Sequence, residues 1–365
     1  MRKIRVLIID DAVVIRRLLT EILAEDPALE VVGSAATGTI GLAKISQVKP
    51  DLVTLDIEMP GLSGLETLAE IRKLYPTLPV IMFSTLTERG ASATLDALAL
   101  GASDYVTKPS NTGSMAAGVQ AVRDALIPKI KGLCARLLGG APATAGASVP
   151  ARIGRTVATP QTPARVDVLA IGVSTGGPNA LAALLPELPA AFPIPIVIVQ
   201  HMPAVFTKLL AQRLDAKAAI HVGEGQAGQI LEPGAAWIAP GGFHMEVMRE
   251  RGLAKLRTTE APPENSCRPA VDPLFRSVAD VYGARTLAVV LTGMGYDGLR
   301  GCERLREVGG SILAQDEATS VVWGMPGAVA SIADRILPLD QLGMEILRRA
   351  AVGRTPERAA AGAAS

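Results

Sequence analysis

Along the first 126 residues, short apolar runs alternate with segments of helix length; the runs are "RVLII", "EVVGSA", "DLVTL", "PVIMF" and "DYVT". Such alternation predicts parallel strands joined by crossover helices. From about Gly139 to Arg165 the periodicity disappears, and Ala, Pro, Gly and Thr dominate "GGAPATAGASVPARIGRTVATPQTPAR". That composition predicts a flexible linker. A second alternating block follows, with "VDVLAIGV", "IPIVIVQ", "AAWIAP" and "TLAVVLTG" as its expected strands. The small, polar ending "RTPERAAAGAAS" predicts a disordered tail. The expectation is an α/β protein of two doubly wound parallel-sheet domains, at 1–126 and 166–350, with a linker at 127–165 and a tail at 351–365.

Composition narrows what such a chain does. Its 365 residues give each domain enough length for a core of its own. Lys+Arg 36 against Asp+Glu 35 leaves a formal net charge of +1, so no overall pull toward nucleic acid or anionic membrane is implied. Aromatic residues at 3% argue against base-stacking platforms. The run in "MRKIRVLIIDD" is too short for a signal peptide and ends in two aspartates, and no apolar run reaches transmembrane length. Cys134, Cys267 and Cys302 are scattered and odd in number, which suits a reducing cytoplasm.

Function in an open parallel sheet gathers at the C-terminal strand ends. In the first block those ends carry Asp10 and Asp11 after "RVLII", Asp56 after "DLVTL", Ser84 after "PVIMF" and Lys108 after "DYVT". Converging carboxylates repel one another unless a hard cation such as Mg²⁺ neutralises them. A lysine and a hydroxyl opposite suit a phosphoryl group held on one carboxylate. The motifs "LIIDDA", "LDIEMPGLSGLE", "MFST" and "DYVTKPS" resemble a response-regulator receiver domain, of flavodoxin-like fold. The resemblance implies that Asp56 accepts phosphate from a histidine kinase, that Asp10 and Asp11 help bind Mg²⁺, and that Ser84 and Lys108 sense the phosphoryl group. It also implies a cis peptide bond before Pro109.

In the second block, "IGVSTGGP" reads as a strand, a tight turn and a helix start, with Ser174 on the turn. A serine there is exposed above the sheet near backbone N–H groups able to hold an oxyanion; the same residues also suit a helix cap. A nucleophilic serine needs a base and a carboxylate to orient it. The histidines are His201, His221 and His244. His201 ends a strand on the same sheet edge as Ser174, His244 follows another strand and competes with it, and packing accounts for His221. Asp297 lies in the glycine-rich loop after "TLAVVLTG", where Asp-Gly also suits a plain turn. A backbone N–H near Met294 in that loop is a candidate oxyanion donor. The chain order Ser, His, Asp differs from that of α/β-hydrolases. Cys267, in no strand-to-helix turn, is expected to be a structural thiol.

The motifs "IGVSTGGP", "VQHMP", "APGGFHM", "NSCRPAVDPLF", "LTGMGYDG" and "AQDEATSVVWGMP", over roughly 166–347, resemble the catalytic domain of the chemotaxis-type protein-glutamate methylesterases, the CheB family. The resemblance implies a Rossmann-like catalytic domain with Ser174 as nucleophile, His201 as base, Asp297 orienting it, and Thr175 and Met294 beside the reacting centre. It implies cleavage of glutamate methyl esters, and deamidation of particular glutamines, on chemoreceptor cytoplasmic helices. It implies no cofactor for hydrolysis and gating by a receiver that covers the catalytic face until phosphorylated. Ala270 and Gly327 depart from the family's usual residues, away from the triad. Two rival readings are a receiver-gated esterase or amidase acting on a small molecule, and a signalling adaptor without turnover. A DNA-binding regulator lacks the expected basic helix-turn-helix block.

Overall fold

The structure, a computed structural model, describes residues 2–109, 115–138 and 165–354. The first domain runs β1 (Ile4–Ile9), α1 (Val13–Ala24), β2 (Leu29–Ala35), α2 (Gly38–Val48), β3 (Leu52–Asp56), α3 (Gly64–Leu74), β4 (Val80–Ser84), α4 (Glu88–Ala99), β5 (Asp104–Thr107) and α5 (Met115–Leu133). Its strands pair in parallel in the order β2-β1-β3-β4-β5. The order reverses at β1 and β3, so Asp10 and Asp56 meet at a topological switch point. Local chemistry sets the helix starts: Thr37 and Thr87 cap α2 and α4, and Ser63 with Glu66 forms a capping box on α3.

The helix α5 continues past the expected boundary at 126. Leu126, Ile130 and Cys134 repeat at helical spacing and are all buried, so packing carries the helix through Pro128. A short 3₁₀ turn at Ala135–Leu138 follows. The expected linker therefore begins as helix, and its stretch 139–164 lies outside the described residues, as does the tail from 355 onward. The cis peptide bond among the described residues is Arg268–Pro269, not the bond before Pro109.

The second domain runs β6 (Val168–Val173), α6 (Gly177–Leu184), β7 (Ile196–Gln200), α7 (Ala204–Asp215), β8 (His221–Glu224), β9 (Ala235–Ile238), β10 (His244–Glu250), β11 (Leu253–Thr259), α8 (Val271–Tyr282), β12 (Thr286–Val290), α9 (Leu299–Glu307), β13 (Ser311–Gln315), α10 (Met325–Val329), β14 (Arg335–Leu337) and α11 (Leu339–Ala350). Seven strands pair in parallel in the order β14-β13-β12-β6-β7-β9-β8. The central strands β6, β7 and β12 are buried along their whole length, as expected for a sheet covered on both faces. Their loops converge where the strand order turns about β6. The β10–β11 hairpin is antiparallel and stands apart from this sheet, with Met245, Val247 and Leu256 turned into the core.

The domains are docked together. Tyr105 of β5 stacks on Phe206 of α7 with ring centroids 4.6 Å apart, a contact worth about 0.5–1.5 kcal/mol beyond area burial. Asn179 Nδ2 donates to Leu98 O at 2.7 Å, and Arg213 donates to Ser92 O at 2.8 Å and pairs with Asp96 at 2.7 Å.

Candidate active site

Ser174 follows β6 directly, and the glycines around it have separate reasons. Gly176 has φ +79°, a left-handed turn that reverses the chain into α6. A Cβ on Gly293 would lie 2.8 Å from the Ser174 Cβ, so only glycine lets the loop after β12 approach this closely. The N-cap of α6 is Gly176, and no side chain caps that helix. The cap reading of Ser174 is thereby removed. Among the described residues, none hydrogen-bonds the Ser174 hydroxyl.

His201, at the end of β7, and Asp297, in the loop after β12, come together across this edge: His201 Nε2 donates to Asp297 Oδ2 at 2.8 Å. Asp297 is seated on the N-terminus of α8. Its Oδ2 also accepts from Val271 N at 2.6 Å, and its Oδ1 accepts from Asn265 Nδ2 at 2.8 Å, Asp272 N at 3.1 Å and Gly298 N at 3.0 Å. Burial alone raises a carboxyl pKa, but the His201 hydrogen bond and charge, with these N–H donors, outweigh it and hold Asp297 below its ordinary value. For His201, burial disfavours the imidazolium, yet Asp297 and the neighbouring Cys267 outweigh burial and raise the imidazole's pKa. Gln200 Nε2 donates to Ser174 O at 3.0 Å and so ties the ends of β6 and β7.

The competing histidines are occupied elsewhere. His244 is buried, with Nε2 donating to Pro262 O at 3.0 Å and Nδ1 accepting from Ala270 N at 3.2 Å. Both nitrogens serve the backbone. His221 is exposed, bonds Asp215 at 2.9 Å and lies edge-on to Trp237. Cys267, expected to be a structural thiol, lies at the site: its Sγ is 3.5 Å from His201 Nδ1, because the turn before α8 folds it over the imidazole. Met294 faces the other domain, where a Cβ on Gly132 of α5 would lie 3.4 Å from its Sδ.

In the first domain, ligand oxygens of Asp10, Asp11 and Asp56 lie within 4.8 Å of one another. Lys108 Nζ is 2.8 Å from Asp56 Oδ1 and 3.4 Å from Asp10 Oδ2. Asp10 Oδ2 and Asp56 Oδ2 are buried without hydrogen bonds, so the pocket is short of positive charge and fits a hard divalent cation. Burial, with repulsion from Asp10, outweighs Lys108 and pushes the Asp56 carboxyl up to about 6. Burial likewise raises Asp10. The Ser84 hydroxyl is turned away from the carboxylates, accepting from Thr94 Oγ1 at 2.6 Å and donating to Gly90 O at 3.2 Å.

The two sites are linked by β5. Lys108 follows that strand, and Asp104 at its other end accepts from Thr175 Oγ1 through Oδ2 at 2.6 Å and from Lys129 Nζ through Oδ1 at 2.8 Å. Asp104, Tyr105 and Lys129 thereby roof a cavity of about 20 Å³ whose floor includes Ser174, Thr175 and His201. That is space on the order of one water molecule. A wider cleft of about 550 Å³ opens between the domains, lined by Tyr105, Lys129, His201, Cys267 and Arg268. Sequence reasoning missed Asn265, Gln200 and Asp104, and the place of Cys267; each acts through loop convergence or docking, which leave no periodic trace.

Fold and sites together define a two-domain signalling protein, in which a receiver-type carboxylate pocket is docked over a serine, histidine and aspartate at a sheet switch point. Family comparison agrees: the CheB methylesterase profile matches residues 169–346 and the response regulator receiver domain profile residues 6–120. A protein-glutamate methylesterase/protein-glutamine glutaminase of Trichodesmium erythraeum is 53% identical over 96% of this chain and 99% of its own. One of the same name from Nocardioides sp. is 53% identical over 99% of both chains, and one from Maricaulis maris is 43% identical over 96% of both. The chain belongs to the CheB methylesterase family, with an N-terminal response-regulator receiver domain.

Proposed function

We propose that the protein is a phosphorylation-activated protein-glutamate methylesterase with glutaminase activity, acting in the cytoplasm on chemoreceptor helices in chemotaxis adaptation. The observation that carries this reading is the His201–Asp297 pair beside Ser174 at the end of β6. Ser174, deprotonated by His201, attacks the glutamyl ester carbonyl; methanol leaves with the proton from His201. Water, deprotonated by the same imidazole, then releases the carboxylate. Asp297 stabilises the imidazolium formed in each step. A glutamine amide follows the same path with ammonia leaving. Thr175 and the backbone near Met294 lie beside the oxyanion, and no cofactor takes part in hydrolysis.

The covered state is the resting one. The roofed cavity does not admit an ester side chain, and the free nitrogen of His201 faces Cys267 rather than Ser174. A histidine kinase supplies phosphate to Asp56, whose short supply of donors suits an incoming group. Asp10, Asp11 and Asp56 would hold Mg²⁺, which would supply the charge neutralisation that phosphoryl transfer requires. Lys108 and Ser84 then contact the phosphoryl oxygens, and β5 passes the change to the Asp104–Thr175 contact, shifting the population toward an uncovered site. No helix among the described residues is long and apolar enough to cross a membrane.

The test is methanol release from methylated receptor membranes, before and after treatment with a small phosphodonor and Mg²⁺. Release that rises on treatment, and fails to rise in Asp56→Asn, supports the reading. No release from folded protein in either state excludes it in favour of a small-molecule substrate or an adaptor.

A further inference from the structure

The turn that carries the "NSC" stretch into α8 is closed by a pair of backbone hydrogen bonds and an ion pair. Glu264 N donates to Cys267 O at 3.1 Å and Cys267 N donates to Glu264 O at 2.8 Å, and Arg276 of α8 pairs with Glu264 at 2.6 Å. Asn265 and Ser266 are both left-handed, at φ 51° and 62°, a conformation asparagine tolerates better than most residues. The turn thus fixes where the Asn265 amide points. Its Nδ2 donates one hydrogen to Asp297 Oδ1 at 2.8 Å and the other to Asp272 Oδ2 at 2.9 Å. Apart from His201, Asn265 is the one side-chain donor to Asp297 among the described residues.

Asp272 and Asp297 are 1% and 2% exposed, so two carboxylates face one another with almost no solvent. Such a pair, left to itself, shares a proton. A shared proton would take the charge from Asp297 that the imidazolium of His201 requires, and would turn the carboxylate toward Asp272. An amide avoids this, since it donates to both and does not titrate. We propose that Asn265 is a positioning residue for the hydrolytic reaction, its amide bridging Asp272 and Asp297 so that Asp297 stays set against His201. This rests on the methylesterase reading above. The charged and titratable groups around the bridge are Asp272, Asp297, His201, Cys267, the buried Cys302 and the Glu264–Arg276 pair.

The experiment uses the full chain, activated with phosphodonor and Mg²⁺, and compares methanol release by the parent, Asn265→Ala and Asn265→Asp at about pH 6 and about pH 8. Asn265→Ala is expected to lower kcat about 10- to 100-fold with KM unchanged. Asn265→Asp keeps the size and the left-handed preference but donates only when protonated, so its activity relative to the parent falls further at the higher pH. Asn265→Asp that tracks the parent at both pH values, or a loss confined to KM, overturns the assignment. A second readout does not need turnover: the low-field proton resonance of the His201–Asp297 hydrogen bond should broaden or disappear in folded Asn265→Ala, and an unchanged resonance also overturns it. Should the parent itself release no methanol, the methylesterase reading fails, while the resonance still decides the role of Asn265.

Discussion

Each domain holds a buried aspartate at the C-terminal edge of a parallel sheet, and the protein treats the two in opposite ways. Asp297 takes N–H donors on both oxygens, from His201, Asn265 and the start of α8. Asp56 takes Lys108 on one oxygen and leaves the other buried without a partner. The first is held below its ordinary pKa and the second is pushed up to about 6. A saturated carboxylate is a permanent charge, suited to orienting a base. One left short of donors is a place for something to arrive, and the surroundings of Asp56 suit a cation and a phosphoryl group.

The largest expected effects belong to the catalytic-domain residues. Ser174→Ala and Asp297→Asn should each lose activity on the order of 10⁴-fold, measured as methanol release by the activated chain. Variants within tenfold of the parent would remove the triad.

Stability against pH tests the contrast itself. The folded-state pKa of Asp56 lies above its unfolded value, so between about pH 4 and pH 6 the native state keeps a proton that the unfolded chain has released, and stability falls as pH rises. Above that window the cost is complete, so in the absence of Mg²⁺ Asp56→Asn should gain in stability relative to the parent as pH rises from about 4 to about 6, with no such gain near pH 3. Asp297 has the opposite sign: its contribution is present above the unfolded carboxyl pKa and is lost as pH falls through the lowered folded value. Urea denaturation across pH reads both slopes.

Smaller effects follow at the seam. Asp104 accepts a buried, charge-assisted hydrogen bond from Thr175, so Asp104→Ala should raise unstimulated methanol release about tenfold and shrink the factor gained on phosphorylation. The Arg213–Asp96 pair is half in solvent, and Asp96→Ala should change the unstimulated rate less than about fivefold. A reversed ranking of these two would move the lock away from β5.

What was legible in the sequence follows the same division. Asp10, Asp56 and Lys108 each terminate an apolar run, so strand periodicity alone puts them on one edge. Ser174, His201 and Asp297 were legible as residues of one sheet edge because strand ends locate them and histidines are scarce; strand position and the family resemblance pointed to His201 over His244, and the backbone bonds that occupy His244 agree. The β10–β11 hairpin was missed because "HMEVMRE" and "LAKLRTT" mix charges into half-buried strands. The first domain was bounded at 126 because the strand–helix alternation ends there, whereas the buried stripe from Leu126 to Cys134 continues α5 past Pro128. Asn265, Cys267 and Asp104 act across loops and between domains, where no local pattern records a contact.

The receiver roofs the serine site, and in the proposed function phosphorylation lifts that roof. The direct measurement is the rate at which a fluorophosphonate serine probe labels Ser174, with and without phosphodonor and Mg²⁺, with Ser174→Ala as the blank. Labelling of the untreated chain should be slow and should quicken after treatment, with Asp56→Asn remaining slow. Equal labelling in both states would contradict it.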